Sequence, residues 1–515
     1  MTEGSAPLLV AGGRVYDHAG DPHRPPVRDV LVEHGRIAAV TEPAEDAPAK
    51  EALRRASARP GGPRVIEAAG MLVLPSFVNA HYHSYDVLQK GLLEDMPFDV
   101  WALHSQPAYL GPRPARELRL RTLLGAVDCL RHGVTTVQDM NTLVPMDEAA
   151  LDVILAAYAE SGLRVVFSIA VRDVAALDIA PFVAQDAPAS VRALALGTPA
   201  DAREQLAFVE AQIRRLQPLP PRLSWALSPS GPQRSTRALL EGIADLSRRH
   251  GLPVLTHAYE TRAQAARARE LYAAWGGSML RFMGETGLLG PRTTIAHGVW
   301  LQDEEIALLA ETGTGLAHNP VSNLKLKSGI APMRRVLDAG VNVALGCDNC
   351  SCGDCQSMFQ AMKLLCLLAA VTDANPTGVH AATALRAATL GGARAVGLEG
   401  QVGAIRPGMR ADLTLIDLSD IAYVPLNSAA RQVVYAESGR GVRTVIVDGE
   451  PLLLDGRLTR LDEAALRAEA EAVMPGFRRG FEALVRRSAE AVPYLLAANS
   501  RVAGHDVGLD RLAPG

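Results

Sequence analysis

Two histidines with one residue between them, His81 and His83, close the apolar run Val73-Leu-Pro-Ser-Phe-Val-Asn-Ala. On an extended strand, side chains at i and i+2 project to the same side, so both imidazoles are presented together. Neutral imidazole is the commonest protein metal ligand, and two on one strand end make half of a tetrahedral site. Alone the pair is a weak signal, because His-x-His arises readily by chance. Its weight comes from the ends of other apolar runs. His257 follows Pro253-Val-Leu-Thr, His297 follows Thr293-Thr-Ile-Ala, His318 follows Thr314-Gly-Leu-Ala, and Asp348 follows Val341-Asn-Val-Ala-Leu-Gly-Cys. One histidine ending a strand is an ordinary structural feature. As a set gathered at one place, these side chains are a metal site.

The elements must bring those ends to one mouth. From about residue 72, apolar β-type runs alternate with amphipathic helical stretches. Gly133–Asp139, Arg164–Ala170 and Arg222–Leu227 complete eight strands, and Ala115–Arg131, Asp201–Leu216, Thr236–His250 and Asp303–Glu311 read as helices between them. Eight strand–helix units over roughly 300 residues are the pattern of a (β/α)₈ TIM barrel, whose active sites lie at the C-terminal strand ends. An open doubly wound sheet is the alternative, but no Gly-x-Gly-x-x-Gly follows any of these strands. Both chain ends are β in character: Leu8–Val15 and Asp29–Val40 at one, Gly403–Asp417 and Arg443–Gly449 at the other. We expect a composite β-sandwich domain from residues 1–71 and 396–460, a barrel at 72–395, and C-terminal helices with a loose tail at 461–515. Those helices are read near Asp462–Val473 and Arg479–Ala491, and the Pro-, Ala- and charge-rich span Glu42–Pro63 reads as an exposed insertion.

Composition narrows the function classes. Over 515 residues, 48% are apolar and 21% charged, with a formal net charge of −4. That balance offers no case for nucleic acid or an acidic membrane surface as partner. No uninterrupted apolar run reaches the roughly 18 residues of a membrane-spanning helix. The first residues lack a basic segment followed by an apolar core, so a cytoplasmic location is expected. Six cysteines in so long a chain are no disulfide scaffold, yet Cys347, Cys350, Cys352 and Cys355 crowd together. We expect them to serve as small apolar residues in a tight loop at the barrel mouth; a second metal or a redox-sensitive lid is the alternative.

The motifs themselves carry a resemblance. Leu74-Pro-Ser-Phe-Val-Asn-Ala-His-Tyr-His-Ser84, Thr256-His-Ala-Tyr-Glu-Thr261 and Ala296-His-Gly-Val-Trp-Leu-Gln-Asp-Glu-Glu-Ile306 are followed by Ala317-His-Asn-Pro-Val-Ser-Asn-Leu-Lys-Leu326, Gly346-Cys-Asp348 and Gly403-x-Ile-x-x-Gly-x-x-Ala-Asp-Leu413. In this order they resemble the amidohydrolase superfamily, in the branch of cytosine-deaminase-like, guanine-deaminase-like and s-triazine hydrolase enzymes. The resemblance implies that His81, His83, His257 and Asp348 ligate one divalent cation, zinc or alternatively iron(II). It makes Glu260 the proton carrier, His297 the residue that contacts the water or substrate, and Asp348 also the general base. Other branches bridge two metals with a carbamylated lysine. Here no lysine occurs between Lys90 and Lys325, which implies a single ion.

The implied reaction is hydrolytic deamination of an amino-substituted N-heterocycle: a pyrimidine, purine, pterin or triazine. Hydrolysis of a chloro, alkylamino, urea or amide bond at the same site, and a catalytically inactive binding protein, are the alternatives. Candidate substrate contacts are Gln89, Phe98, Trp101 and His104 after the first strand, together with His318 and Asn323. Phe98 and Trp101 could stack on a planar ring or simply pack beneath the loop. A homo-oligomer is implied by resemblance alone.

Overall fold

The computed structural model describes residues 7–43, 64–175, 182–195, 201–373, 375 and 377–512. From residue 44 onward, the expected insertion lies outside them. Eight parallel barrel strands run in order: Phe77–His83, Val134–Asn141, Arg164–Val171, Leu223–Trp225, Val254–Ala258, Thr293–His297, Gly315–His318 and Val343–Leu345. Each is bonded to the next along the first four and along the last four. The bridge Leu227 to Val254 joins the two halves, and Asp348–Asn349 pairs with Tyr82 and His83 to close the ring. The expected barrel is therefore present, and its strand ends share one mouth.

The helices between strands form for local reasons. In Arg237–His250, Leu239, Leu240, Ile243, Ala244 and Leu246 are buried at helical spacing. Thr236 caps the first turn by accepting from the Leu239 amide, and Gly251, in the left-handed region, ends the last. Glu148–Ser161 is capped in the same way by Asp147 and stopped by Gly162.

Strands from both chain ends build one sheet of nine strands. Leu413–Asp417 pairs antiparallel with Met71–Pro75, which in turn pairs parallel with Leu8–Val15. What was expected as a sandwich is thus, in its hydrogen bonding, a single sheet around Val10, Val30, Val73, Leu413 and Ile446. One of its inner strands, Met71–Pro75, crosses the expected boundary at residue 72. The apolar run leading to His81 is two strands, Met71–Pro75 in the sheet and Phe77–His83 in the barrel, parted at Ser76. Continuous hydrophobicity conceals the break, because both strands are buried on both faces.

The C-terminal end also differs from expectation. One helix, Glu463–Ser488, runs through Pro475, since Leu466, Val473, Phe477, Phe481 and Leu484 keep one apolar face across the proline. A second helix, Val492–Ala503, follows. The segment expected to be a loose tail is docked as far as it is described, to residue 512: the Ile330 amide donates to the Arg511 carbonyl (2.8 Å), and Val507 is buried. Among the described residues, no helix is long and apolar enough to cross a membrane.

Candidate metal centre

His81 and His83, from the first barrel strand, meet His257, His297 and Asp348 at the barrel mouth. All but His257, which is partly buried, are buried. His83 donates from Nδ1 to the Met140 carbonyl (2.6 Å), and His257 donates from Nδ1 to the Ser230 carbonyl (2.6 Å). A carbonyl only accepts, so each ring keeps its proton on Nδ1 and turns a bare Nε2 lone pair inward. Those two Nε2 atoms stand 3.4 Å apart. Asp348 Oδ1 lies 3.4 Å from His83 Nε2 and 3.5 Å from His81 Nε2, and His81 Nε2 has no hydrogen-bond partner despite being buried.

Acceptors facing acceptors repel, and burial makes the repulsion costly. A cation among them turns each contact favourable. Ligands at about 2.0–2.1 Å around a tetrahedral zinc would stand about 3.3–3.4 Å from one another, close to these spacings. The four residues therefore fit a divalent transition metal. Gly346 permits the approach: a Cβ there would lie 2.7 Å from His81 Cβ and 2.2 Å from Asn319 Oδ1.

His297 sits beside this group, with Nε2 3.9 Å from Asp348 Oδ2 and 3.9 Å from Glu260 Oε1. Its Nδ1 donates to Asn323 Oδ1 (2.9 Å), leaving Nε2 as a buried acceptor without a partner. His297 and Asp348 both adopt left-handed backbone, with φ of 74° and 62°. Such conformations cost energy in residues with a Cβ and concentrate at functional sites. Glu260 is held by Gln264, whose side chain accepts from the Glu260 amide (2.9 Å) and donates to Oε2 (3.4 Å). Burial pushes the Glu260 carboxyl up; the field of His297 opposes it, and the Asp348 charge adds to it.

An open cleft lies over these residues, bounded also by Tyr85, Phe98, Trp101, Gln106, Arg234 and Asn349. Phe98 and Trp101 both line the cleft and pack in a core, so the two readings of them coexist. Their helix, Phe98–Ser105, is held from both sides by the C-terminal helices: Phe98 and Trp101 share a core with Val473, Phe477 and Phe481, while Val100 and Leu103 pack with Leu495 and Ala498.

Four of the expected substrate contacts do not line the cleft. Gln89 is buried beneath it and donates to the His104 carbonyl (3.2 Å). His104 and His318 are buried with both ring nitrogens unpartnered. Asn323 instead orients His297. In their place come Tyr85, Gln106, Thr142, Ser230, Arg234 and Asn349, which sequence reasoning missed. Thr142 stands directly beyond the second barrel strand, so reading one residue past that strand would have found it.

The cysteines behave as small apolar residues. Cys347, Cys350 and Cys352 are buried, and all six thiols are free. Among the described residues, no cysteine belongs to a group that could hold a metal. Their loop is pinned by Asp86, which accepts from the Cys350 amide (3.1 Å), the Ser351 amide (3.0 Å) and the Ser351 hydroxyl (2.5 Å). Lys90 and Lys325 are engaged elsewhere, with Asp128 and Asp354.

The amidohydrolase family model matches residues 72–452. The chain belongs to the amidohydrolase family. It is 34% identical over 435 residues to a 5-methylthioadenosine/S-adenosylhomocysteine deaminase of Thermococcus onnurineus, covering 84% of this chain and 90% of that protein. A 5′-deoxyadenosine deaminase of Methanothermobacter thermautotrophicus is 32% identical over 477 residues, 90% of this chain and 97% of its own. An adenosine deaminase of Xanthomonas campestris, solved with bound zinc, superposes with a TM-score of 0.78 at 29% identity, over 92% of this chain and 98% of that one. The zinc complex of an atrazine chlorohydrolase from Arthrobacter aurescens, at 22% identity and a TM-score of 0.77, shares the fold. This amidohydrolase is a metal-dependent hydrolase that acts on C–N bonds.

Proposed function

We propose that this amidohydrolase removes the exocyclic amino group of an N-heterocycle by hydrolysis, with one divalent cation held by His81, His83, His257 and Asp348. The observation that carries the reading is the set of inward acceptor atoms with Glu260 and His297 beside it. Relatives whose names denote adenine nucleosides make an amino-substituted purine the heterocycle we place first. Zinc is the cation we assign, with iron(II) the alternative. When bound, it supplies the positive charge that acidifies a water near neutral pH.

The protein's own groups do the rest. Asp348 accepts the proton of the attacking water. Glu260, its carboxyl raised by burial, gives its own proton to the ring nitrogen and takes the second proton of the attacking oxygen in return, while the proton held by Asp348 passes to the departing amine. Nδ1–H of His297 bonds Asn323, which leaves Nε2 facing the centre, placed to contact the attacking water or the substrate. Phe98 and Trp101 offer flat faces for the heterocycle. We place the protein in the cytoplasm as a homo-oligomer; its mass in solution tests the assembly.

Metal analysis of the purified protein, combined with ammonia release from adenosine, 5′-deoxyadenosine, guanine, cytosine and an aminotriazine, tests the reading. About one metal equivalent per chain and ammonia from at least one aminoheterocycle are expected. Metal-loaded protein that releases ammonia from none of them would overturn deamination, and two equivalents would overturn the single-ion site.

A further inference from the structure

The first barrel strand presents His81 and His83 through a stretch where its ladder to the second strand is broken. Asn79 pairs with Val137, and the next pair, which is also the last, is Tyr82 with Asp139. Three residues of the first strand thus advance against two of the second, and the extra one falls at Ala80 or His81. An offset of this kind re-aims side chains and leaves the local backbone without its ladder bonds. On this side, contacts other than the ladder must fix the strand end.

Asp139 makes them. It is fully buried, and four neutral donors meet its carboxylate. The Ser84 amide bonds Oδ1 (3.0 Å), while the Ser84 hydroxyl (2.7 Å), the Tyr158 hydroxyl (2.7 Å) and the Asn141 side-chain amide (3.3 Å) bond Oδ2. Asn141 donates to Ser84 Oγ as well (2.8 Å). Ser84 directly follows His83. Met140, between Asp139 and Asn141, supplies the carbonyl to which His83 Nδ1 donates (2.6 Å). Three consecutive residues of the second strand therefore grip two consecutive residues of the first. Arg121 continues the grip, donating from Nη1 to the Tyr85 carbonyl (3.3 Å). Burying a carboxylate is costly, and well-packed apolar residues in its place often stabilise as much or more. The two bonds to Ser84 give the buried charge another use.

We propose that Asp139 is a positioning residue of the metal centre: its bonds to Ser84, with the Met140 carbonyl beside it, fix where His83 holds its Nε2. Asp139 does not line the cleft, and it acts through Ser84. This role rests on the cation site proposed above, and it adds what keeps that site in shape.

Asp139→Asn keeps the side-chain volume and withdraws the charge that gathers the four donors. Zinc affinity is measured by chelator competition on protein shown to be folded by circular dichroism, and the cobalt(II)-loaded protein by its visible absorption. Contacts that orient a metal ligand are typically worth about 10–100-fold in affinity, so zinc should bind more weakly by about that factor. The cobalt bands should change in position and intensity. A residue that only stabilised the fold would lower the unfolding midpoint and leave both readouts unmoved. Ser84→Ala deletes the hydroxyl contact and keeps the amide one. It should weaken zinc in the same direction but by less, and it serves if Asp139→Asn does not fold. Wild-type zinc affinity and an unaltered cobalt spectrum in these variants would overturn the role while leaving the cation site intact. A wild-type chain that binds neither ion would overturn the cation site itself, and the role with it.

Discussion

Two polar clusters sit at opposite ends of the same barrel, and they are built on opposite principles. At the N-terminal strand ends, Arg164 bonds Asp412 through Nε (3.0 Å) and Nη2 (2.9 Å), and reaches Asp448 as well (2.7 Å). Arg222 adds contacts to Asp448 (3.2 Å) and Glu450 (2.9 Å), and Arg410 a further one to Asp448 (3.0 Å). Every contact there joins a donor to an acceptor, and the cluster locks the barrel to the sheet. At the C-terminal ends, acceptors face acceptors: His83 Nε2, His257 Nε2 and Asp348 Oδ1 meet without a proton between them. The first cluster is complete as the chain supplies it. The second is a set of lone pairs that a cation would complete, which is how a site built for function differs from one built for stability.

The comparison can be broken most severely at the mouth. Replacing His83 by Ala removes one donor and the contact to Met140. Metal content should fall well below one equivalent per chain and activity to background, while the barrel still unfolds cooperatively. Full metal retention would remove His83 from the ligand set. Glu260→Gln should keep the metal and lose about 10²–10⁴ in rate, because only proton transfer is withdrawn. Near-normal turnover in that variant would take Glu260 out of the mechanism.

How much of this was legible in the sequence follows the same division. The eight strands, and the histidines and aspartate at their ends, could be read because barrel strands put their functional groups at a fixed place, one step from an apolar run. His81, His83, His257, His297 and Asp348 all came together as those strand ends require. Groups placed by tertiary contact were not legible. Asn323 was read as a substrate contact, yet its amide serves His297 from the helix Pro320–Lys325. His104 does not line the cleft, and the helix that carries it, Phe98–Ser105, is packed against C-terminal helices hundreds of residues away. Arg234 was overlooked because nothing in the sequence tells a loop arginine that lines a cleft from one on the surface.

At the other end of the barrel, Arg164→Met leaves buried Asp412 without the guanidinium it bonds, while Asp448 keeps Arg222 and Arg410. Unpairing a buried charge network typically costs about 3–5 kcal/mol, so unfolding midpoints in urea should drop markedly. The metal content of the protein that remains folded should not change, since the site is at the far strand ends. A loss of metal in proportion to stability would mean that the two clusters are coupled through the barrel.

The smallest effect sharpens the contrast by pH. Burial alone would raise the Asp448 carboxyl, but Arg164 and Arg410 outweigh it and hold the group below its ordinary range. A carboxylate depressed in the folded state binds fewer protons there than in the unfolded chain, so its contribution to stability is present above the unfolded value. It is lost as pH falls through the folded one. Asp448→Asn abolishes that dependence. Relative to the wild type, the variant should be less stable at pH 7, and the two stability curves should converge between roughly pH 5 and 3, where aspartates titrate. Urea midpoints measured across that range decide it. Parallel curves would mean that Asp448 contributes through its hydrogen bonds alone, and that the charge in the clamp is incidental to its strength.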